Sequence, residues 1–219
     1  MTRPLRLAAM ISGTGSNLAV VLEAVAAGDL DLDVVEVISN RAEAAGLERA
    51  REHGVATRVI GKHNAGADGE DAALLQRLTQ LDPDLILLTG YMRILGADLV
   101  NAFTGRMINQ HPSLLPRHKG LHTHRRALEA GDHEHGASVH FVTPELDGGP
   151  IIAQVRVPVH ADDDEDRLAQ RVAPRERALL LALLPLFTSR RLTLEKGAVL
   201  LDGEALESPL ILEENSLHA

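Results

Sequence analysis

The sequence predicts an α/β fold: an open, twisted, mostly parallel sheet with helices on both faces, antiparallel additions and a C-terminal hairpin. Three observations point there. Short apolar runs alternate with helix-like segments along the chain, the pattern of a parallel sheet covered by helices. At 219 residues and 45% hydrophobic content, the chain is long enough for a real core but cramped for two full domains. No internal repeat, low-complexity tract or linker interrupts it. A single domain over 1–219 is expected, in two lobes that divide near residue 105.

Leu5–Ile11 is the first apolar run, followed by Ser-Gly-Thr-Gly-Ser-Asn at 12–17 and a helix over about 18–27. Strands are expected at 34–39 and 56–60, with a short helix at 46–53 between them. Residues 61–69 carry no strong period and read as a loop before a helix at 71–80. Asp-Leu-Ile-Leu-Leu-Thr at 84–89 is a central strand behind Pro83. A helix at 97–103 and a short strand at 107–109 lead into His-Pro-Ser-Leu-Leu-Pro, whose two prolines forbid helix or inner strand. A helix at 123–130 stops at Gly131, and strands at 136–142 and 151–157 flank the loop 144–149. The acidic run 162–166 caps the positive end of a helix that ends near 188, and is solvated. Residues 192–194 and Ala198–Leu201, joined by Glu-Lys-Gly, form the hairpin.

Composition excludes whole classes of function. The net charge is −9, and the only aromatics are Tyr91, Phe103, Phe141 and Phe187, a poor set for a nucleic-acid partner. With no cysteine there is no disulfide framework, Cys-zinc site, iron–sulfur cluster or thiol nucleophile. The first residues read as a strand rather than a signal peptide, and no apolar run reaches the about 20 residues of a membrane span. No membrane partner is expected, and the setting is cytoplasmic.

Three segments can carry chemistry. The turn at 12–17 lies between a strand and a helix, where backbone N–H groups and the helix dipole favour an anion. It is no dinucleotide fingerprint, because the third glycine would fall on Leu18 and Ser39-Asn40 replace the expected acid. Two readings stay open: a grip on one phosphate through Ser16, Asn17 and backbone donors, or a plain turn with Ser16 or Asn17 as N-cap. The second segment is rich in histidine: His111, His118, His122, His124, His133, His135 and His140, seven of the eleven. Neither His122/His124 nor His133/His135 has the i, i+4 spacing of a helical zinc site, so most of the seven read as surface or hydrogen-bonding residues. The third segment is Asn109-Gln110-His111-Pro112 at a strand's carboxyl end, where open α/β sheets bind ligands. Asn109 suits an oxyanion donor and His111 a proton carrier. Asp147, in Glu-Leu-Asp-Gly-Gly-Pro, is the natural carboxylate for His111, although turn geometry alone also accounts for an Asp there. Ser113 makes a poor hydrolase nucleophile, since the Gly-x-Ser-x-Gly elbow is absent and Pro112 precedes it. Direct transfer between two bound substrates is the more economical chemistry.

These segments, with Ser-Asn-Arg-Ala (39–42), Gly-Leu-Glu-Arg-Ala (46–50), Gly-Tyr-Met-Arg-Ile-Leu (90–95), Gly-Leu-His-Thr-His-Arg (120–125) and Gly-Ala-Ser-Val-His-Phe-Val-Thr (136–143), resemble the phosphoribosylglycinamide formyltransferase family, folate-dependent enzymes of purine synthesis. The resemblance runs over nearly the whole chain. It implies a Rossmann-like formyltransferase sheet, with a phosphate-binding half at about 1–105 and a catalytic, folate-binding half at 106–219. It implies that Gly15, Ser16 and Asn17 bind the substrate's ribose phosphate and that Glu176, beside Ala173, holds the ribose. Met92, Arg93, Ile94 and Leu95 would line the pterin pocket of 10-formyltetrahydrofolate, the co-substrate. Thr143, Pro144, Glu145, Leu146 and Asp147 would close over it, with Asn109 also in contact. Asn109, His111 and Asp147 would be the catalytic group, with no metal. In the implied mechanism the glycinamide amine attacks the formyl carbon. Asn109 and protonated His111 hold the oxyanion, and Asp147 raises the pKa of His111.

Three departures from the family pattern stand out. No arginine occurs in 66–71, where the family carries one toward the folate. The family's Glu-His-x-x-Tyr-Pro run is Glu176-Arg177-Ala178-Leu179-Leu180-Leu181 here, with Pro174 before it. Lys119 replaces a proline before Gly-Leu-His. A deformylase of the same donor would carry an extra amino-terminal domain, and a methionyl-tRNA formyltransferase a second, basic one, so neither is expected. A non-catalytic folate or nucleotide binder would be favoured by loss of Asn109, His111 or Asp147, and all three are present. Small-molecule partners only are expected, with a monomer or homodimer both open.

Overall fold

The computed structural model describes residues 3–63, 69–214 and 216–218, in two units, Met1–Asn109 and Gln110–Ala219. Most of the loop expected at 61–69 falls outside the described residues.

In the first unit β1 (Leu5–Ile11), α1 (Ser16–Ala27), β2 (Leu32–Ser39), α2 (Ala45–Glu52) and β3 (Thr57–Val59) come first. They are followed by α3 (Gly69–Leu81), β4 (Leu85–Thr89), α4 (Ala97–Ala102) and the start of β5 (Met107–His111). The strand order is β5-β4-β1-β2-β3, and β1 pairs in parallel with both β2 and β4. Leu7, Ala8, Ala9, Met10 and Ile11 are all fully buried, as a strand covered on both faces requires. The register sets Ile11 beside Ser39 and Met10 beside Leu88. The chain therefore leaves β1, β2 and β4 at one end of this sheet, where residues 12–15, 40–44 and 90–96 gather.

The second unit takes over at Gln110 and His111, the last two residues of β5. It continues through α5 (Thr123–Glu129), β6 (Glu134–Phe141), β7 (Ile151–Pro158), α6 (Glu165–Thr188), β8 (Leu192–Glu195) and β9 (Ala198–Leu201). The chain closes with β10 (Glu204–Ala205), β11 (Leu210–Glu213) and β12 (Ser216–His218). Here the order is β12-β11-β7-β6-β5, with β6 antiparallel to β7 and β11 parallel to it. The expected hairpin is present as β8 and β9, but it belongs to a separate three-stranded sheet completed by β10. The tail from Leu210, unassigned from sequence, instead extends the main sheet.

The proline run after β5 is held by polar groups buried beneath it. Ser138 donates to the Ser113 carbonyl (2.7 Å) and accepts from the Leu115 N–H (3.0 Å), and the Gln154 amide donates to the Leu115 carbonyl (2.9 Å). These bonds satisfy backbone groups that no helix or strand ladder serves. Helix α6 starts on Asp164, whose side chain accepts from the Arg167 N–H at 2.8 Å, as expected of the acidic run. Asp163 departs from the solvated reading: its side chain is buried and clamped by Arg171. Along α6, Leu168, Val172, Leu179, Leu180, Leu183, Leu184 and Phe187 make one buried stripe at helical spacing. That stripe packs on β6 and β7 and offsets the ladder bonds lost at Pro174 and Pro185.

Leu183 is fully buried in this stripe. Leu183→Ala is expected to lower the unfolding free energy by about 2–5 kcal/mol, read as a lower urea midpoint at unchanged slope. A midpoint equal to the wild type's would contradict the packing role.

Candidate active site

Strand alternation sets the centre of the site. Asn109 and His111 share one face of β5, while Gln110 turns to the other and donates its amide N–H to the Glu176 carbonyl at 2.7 Å. His111 is buried at 6% exposure. Its Nε2 lies 3.1 Å from the His118 carbonyl, an acceptor only, so the proton of the neutral ring sits on Nε2. Nδ1 faces Asp147 Oδ2 at 3.6 Å, close enough for ion pairing but beyond a hydrogen bond. Nδ1 thus carries the lone pair of the neutral ring and faces a carboxylate that can stabilise a proton taken there.

Asp147 is fixed by its backbone as much as by its partners. It sits at φ 46°, in the left-handed region that Asp tolerates in tight turns. Its Oδ2 accepts the Gly120 N–H at 2.8 Å, and its Oδ1 lies 3.7 Å from Nε2 of buried His140. Burial works against its charge, but His140, the Gly120 N–H and His111 outweigh this and hold it below the usual carboxylate range. Asp147 is therefore ionised at neutral pH. For His111 the balance falls the other way. Burial pushes the imidazole below 6.5, and the opposing pull of Asp147 and the His118 carbonyl does not restore it. Asp147 does raise His111, as the sequence implies, yet the net direction is down, because a buried imidazolium loses more hydration than one carboxylate at 3.6 Å returns.

A second histidine group adjoins it. His118 Nε2 meets buried Asp132 at 2.7 Å, and Arg117 closes on the same carboxylate. His124 Nδ1 meets His135 Nε2 at 3.0 Å, their rings edge to face. Burial first, then the neighbouring imidazoles of His124 and His118, push His135 down to about 4. Among the described residues no group of three or more His, Asp or Glu could hold a metal ion.

The turn at 12–17 is built within the first unit. Gly15, not Ser16 or Asn17, is the N-cap of α1; it stands at φ 66° and makes no side-chain cap bond. Its Cα approaches α2 so closely that a Cβ would lie 2.7 Å from the Gly46 Cα, so both positions demand glycine. The Gly46 N–H donates to the Gly13 carbonyl (3.1 Å) and Arg49 Nε to the Thr14 carbonyl (3.1 Å), holding the loop from outside. The first helical bond runs from the Ala19 N–H to the Gly15 carbonyl, and the first turn of α1 carries no acid. Its amide end and dipole are thus set for an anion. Ser12 ties this loop to its neighbours: its hydroxyl donates to Asn40 Oδ1 (2.6 Å) and accepts the Met92 N–H (2.8 Å).

A family profile described as formyl transferase matches residues 5–184. The chain belongs to the formyl transferase family. It is 45% identical to the phosphoribosylglycinamide formyltransferase of Escherichia coli (strain K12) over 203 residues, 92% of this chain and 96% of that protein. It is 41% identical to the enzyme of the same name from Haemophilus influenzae over 202 residues, 92% of this chain and 95% of that protein. Among solved structures, the phosphoribosylglycinamide formyltransferase of Coxiella burnetii in complex with CHES superposes with a TM-score of 0.91. It has 40% identity and covers 96% of this chain and all of that one.

The structure brings His111 and Asp147 together and sets Asn109 on the same strand face as His111. Gly15, Ser16 and Asn17 stand at the start of α1, and Ala173 and Glu176 one turn apart on α6. Met92 and Ile94 are exposed, Leu95 is buried, and Arg93 turns to α3, where Asp71 and Glu70 receive it. In the loop after β6, Thr143 Oγ1 reaches the Glu145 carbonyl (3.5 Å), and exposed Pro144, Glu145 and Leu146 precede Asp147. The missing arginine concerns 66–71, of which 66–68 lie outside the described residues. Lys119 pairs with Glu145 at 2.7 Å, a bridge that proline could not make. Sequence reasoning passed over His140 and Ser12. His140 was legible only as one histidine among several, and Ser12 only as the residue opening a turn.

His135 yields a pH prediction with a definite sign. The unfolded chain protonates it near 6.5 and the folded chain near about 4, so stability is full above 6.5 and falls as pH drops toward 4. His135→Phe is expected to flatten that fall in urea midpoints measured across the interval. An unchanged slope would contradict the assignment.

Proposed function

We propose that the chain transfers the formyl group of 10-formyltetrahydrofolate to the amine of phosphoribosylglycinamide, a step of purine biosynthesis in the cytoplasm. The observation that carries this reading is the pairing at the end of β5: a buried, neutral imidazole with one nitrogen satisfied by a carbonyl and the other backed by an ionised carboxylate.

The acceptor's amine attacks the formyl carbon. An α-amine of pKa near ~8 is partly protonated at neutral pH, so a proton acceptor in the site raises the reactive fraction. His111 Nδ1 takes the proton as the new C–N bond forms, and Asp147 stabilises the imidazolium. The formyl oxygen gains negative charge, which the Asn109 amide and the imidazolium hold. The bond to N10 then breaks, N10 receives a proton from His111, and tetrahydrofolate and the N-formyl product leave. No covalent intermediate with the protein is needed. At the start of α1, Gly15, Ser16 and Asn17 bind the acceptor's phosphate through backbone amides, the Ser16 hydroxyl and the Asn17 amide. Glu176, with Ala173 beside it, takes the ribose hydroxyls. Met92, Ile94 and Leu95 meet the pterin, with Arg93 fixing their backbone, and the loop from Thr143 to Asp147 closes over the donor.

A donor carrying ¹³C in its formyl group tests this directly. With phosphoribosylglycinamide present the label is expected on the acceptor nitrogen. Label released as formate, with or without acceptor, would make the chain a deformylase, and no release would leave a binding protein. Asn109→Ala is expected to lose about 10²–10³ in kcat, the usual worth of one oxyanion donor, and near-normal turnover would remove Asn109 from the mechanism.

A further inference from the structure

We propose that Asp71, in the first turn of α3, is the positioning residue that sets the segment 92–96 for the folate donor. The inference rests on the reading above that this segment meets the donor. It concerns a carboxylate which that reading leaves without a role.

One side chain spans the whole segment. Asp71 Oδ1 receives the Arg93 guanidinium, and its Oδ2 accepts the Gly96 N–H at 3.0 Å. Glu70 adds a second carboxylate to Arg93, Oε2 lying 3.2 Å from Nε. The approach at Gly96 is so close that a Cβ there would come within 2.5 Å of Oδ2, so the missing side chain admits the carboxylate. Gly96 is also the N-cap of α4 and makes no side-chain cap bond of its own. Asp71 therefore anchors both the cationic side chain near the start of the segment and the backbone at its end. Ser12 Oγ fixes the Met92 N–H.

This anchoring decides which side chains face outward. With Arg93 drawn to α3 and Leu95 buried at 7% exposure, the alternating residues Met92 and Ile94 stand 65% and 68% exposed. Two large apolar side chains exposed within three residues form a small apolar surface of the kind that marks ligand contact. Pinning by charge-assisted bonds keeps this surface ready for the face of a flat heterocycle, so less ordering cost remains at binding. The bonds lie inside the first unit and touch no reacting atom. Their loss is expected to weaken donor binding and leave the chemical step alone.

The test is steady-state kinetics of Asp71→Ala and Asp71→Asn with each substrate varied in turn. Calorimetric titration of tetrahydrofolate and thermal melts accompany it. Asp71→Ala is expected to raise KM for the donor and Kd for tetrahydrofolate by about 10- to 100-fold, the worth of a charge-assisted hydrogen bond. KM for the acceptor and kcat at saturating donor should stay within about twofold of the wild type. Asp71→Asn keeps an acceptor for one partner but loses the charge, so its rise should be smaller, and it carries the test if the alanine variant does not fold. In the double variant Asp71→Ala/Arg93→Ala the loss beyond that of Arg93→Ala should be smaller than the loss in Asp71→Ala alone, because without Arg93 only the bond to the Gly96 N–H is left for Asp71 to give. An unchanged donor KM, or equal rises in both KM values with a lowered melting point, would overturn the proposal. A wild type that binds no tetrahydrofolate would instead overturn the functional reading beneath it.

Discussion

The second unit turns on one conflict, an imidazole that must be buried to do its work yet loses basicity by being buried. His111 lies at the end of a strand whose opposite face is tied to α6 through Gln110, so its ring has little freedom to move toward water. Desolvation drives its pKa down, and the protein answers with an anion instead of exposure. Asp147 supplies that anion. It is itself kept ionised by a backbone N–H from Gly120 and by His140, so the compensation extends to residues far apart in sequence. The proline run between β5 and α5 then has a definite task, to bring the His118 carbonyl onto Nε2 and Gly120 onto Asp147. Its own backbone is satisfied by Ser138 and Gln154, which explains two polar residues at 0% and 8% exposure in β6 and β7.

The first unit solves a different problem, that of holding three loops still where parallel strands end. Parallel pairing delivers the turns after β1, β2 and β4 to one end, but strand ladders stop there and leave the loops to find other partners. Ser12 joins all three: its N–H donates to the Gly90 carbonyl, and its hydroxyl bridges Asn40 and Met92. The close contact of Gly15 with Gly46 sets α1 against α2 and aims the amide end of α1 outward. The candidate anion site and the apolar pair Met92 and Ile94 are thus positioned by one hydrogen-bonded frame.

Much of this was legible in the sequence, because it follows from local pattern. The apolar run to Ile11 gave β1 its bounds, Pro83 marked the entry to β4, and Gly131 the end of α5. Asn109 and His111 stood out as an amide and an imidazole at a strand's carboxyl end, whereas Asp147, for which turn geometry alone accounts, joined them through the resemblance to the family. What escaped depends on long-range geometry. Leu210–Glu213 is only four residues long, and its pairing with β7 and β12 makes it a strand. Ser16 and Asn17 are common N-caps, yet the left-handed Gly15 takes that position because the approach to Gly46 forbids a side chain there. Arg93 read as a ligand contact, and nothing local shows that Asp71 claims its guanidinium. The direction of the His111 shift also escaped, since burial cannot be read from residue type alone.

The balance at His111 is open to one direct measurement, an NMR titration of its imidazole in the ligand-free protein, beside the same titration in Asp147→Asn. The opposition of burial and carboxylate requires a wild-type midpoint below 6.5 and a lower one still in the variant, where the anion no longer offsets desolvation. A wild-type midpoint above 6.5, or a variant whose midpoint stays put or rises, would contradict it.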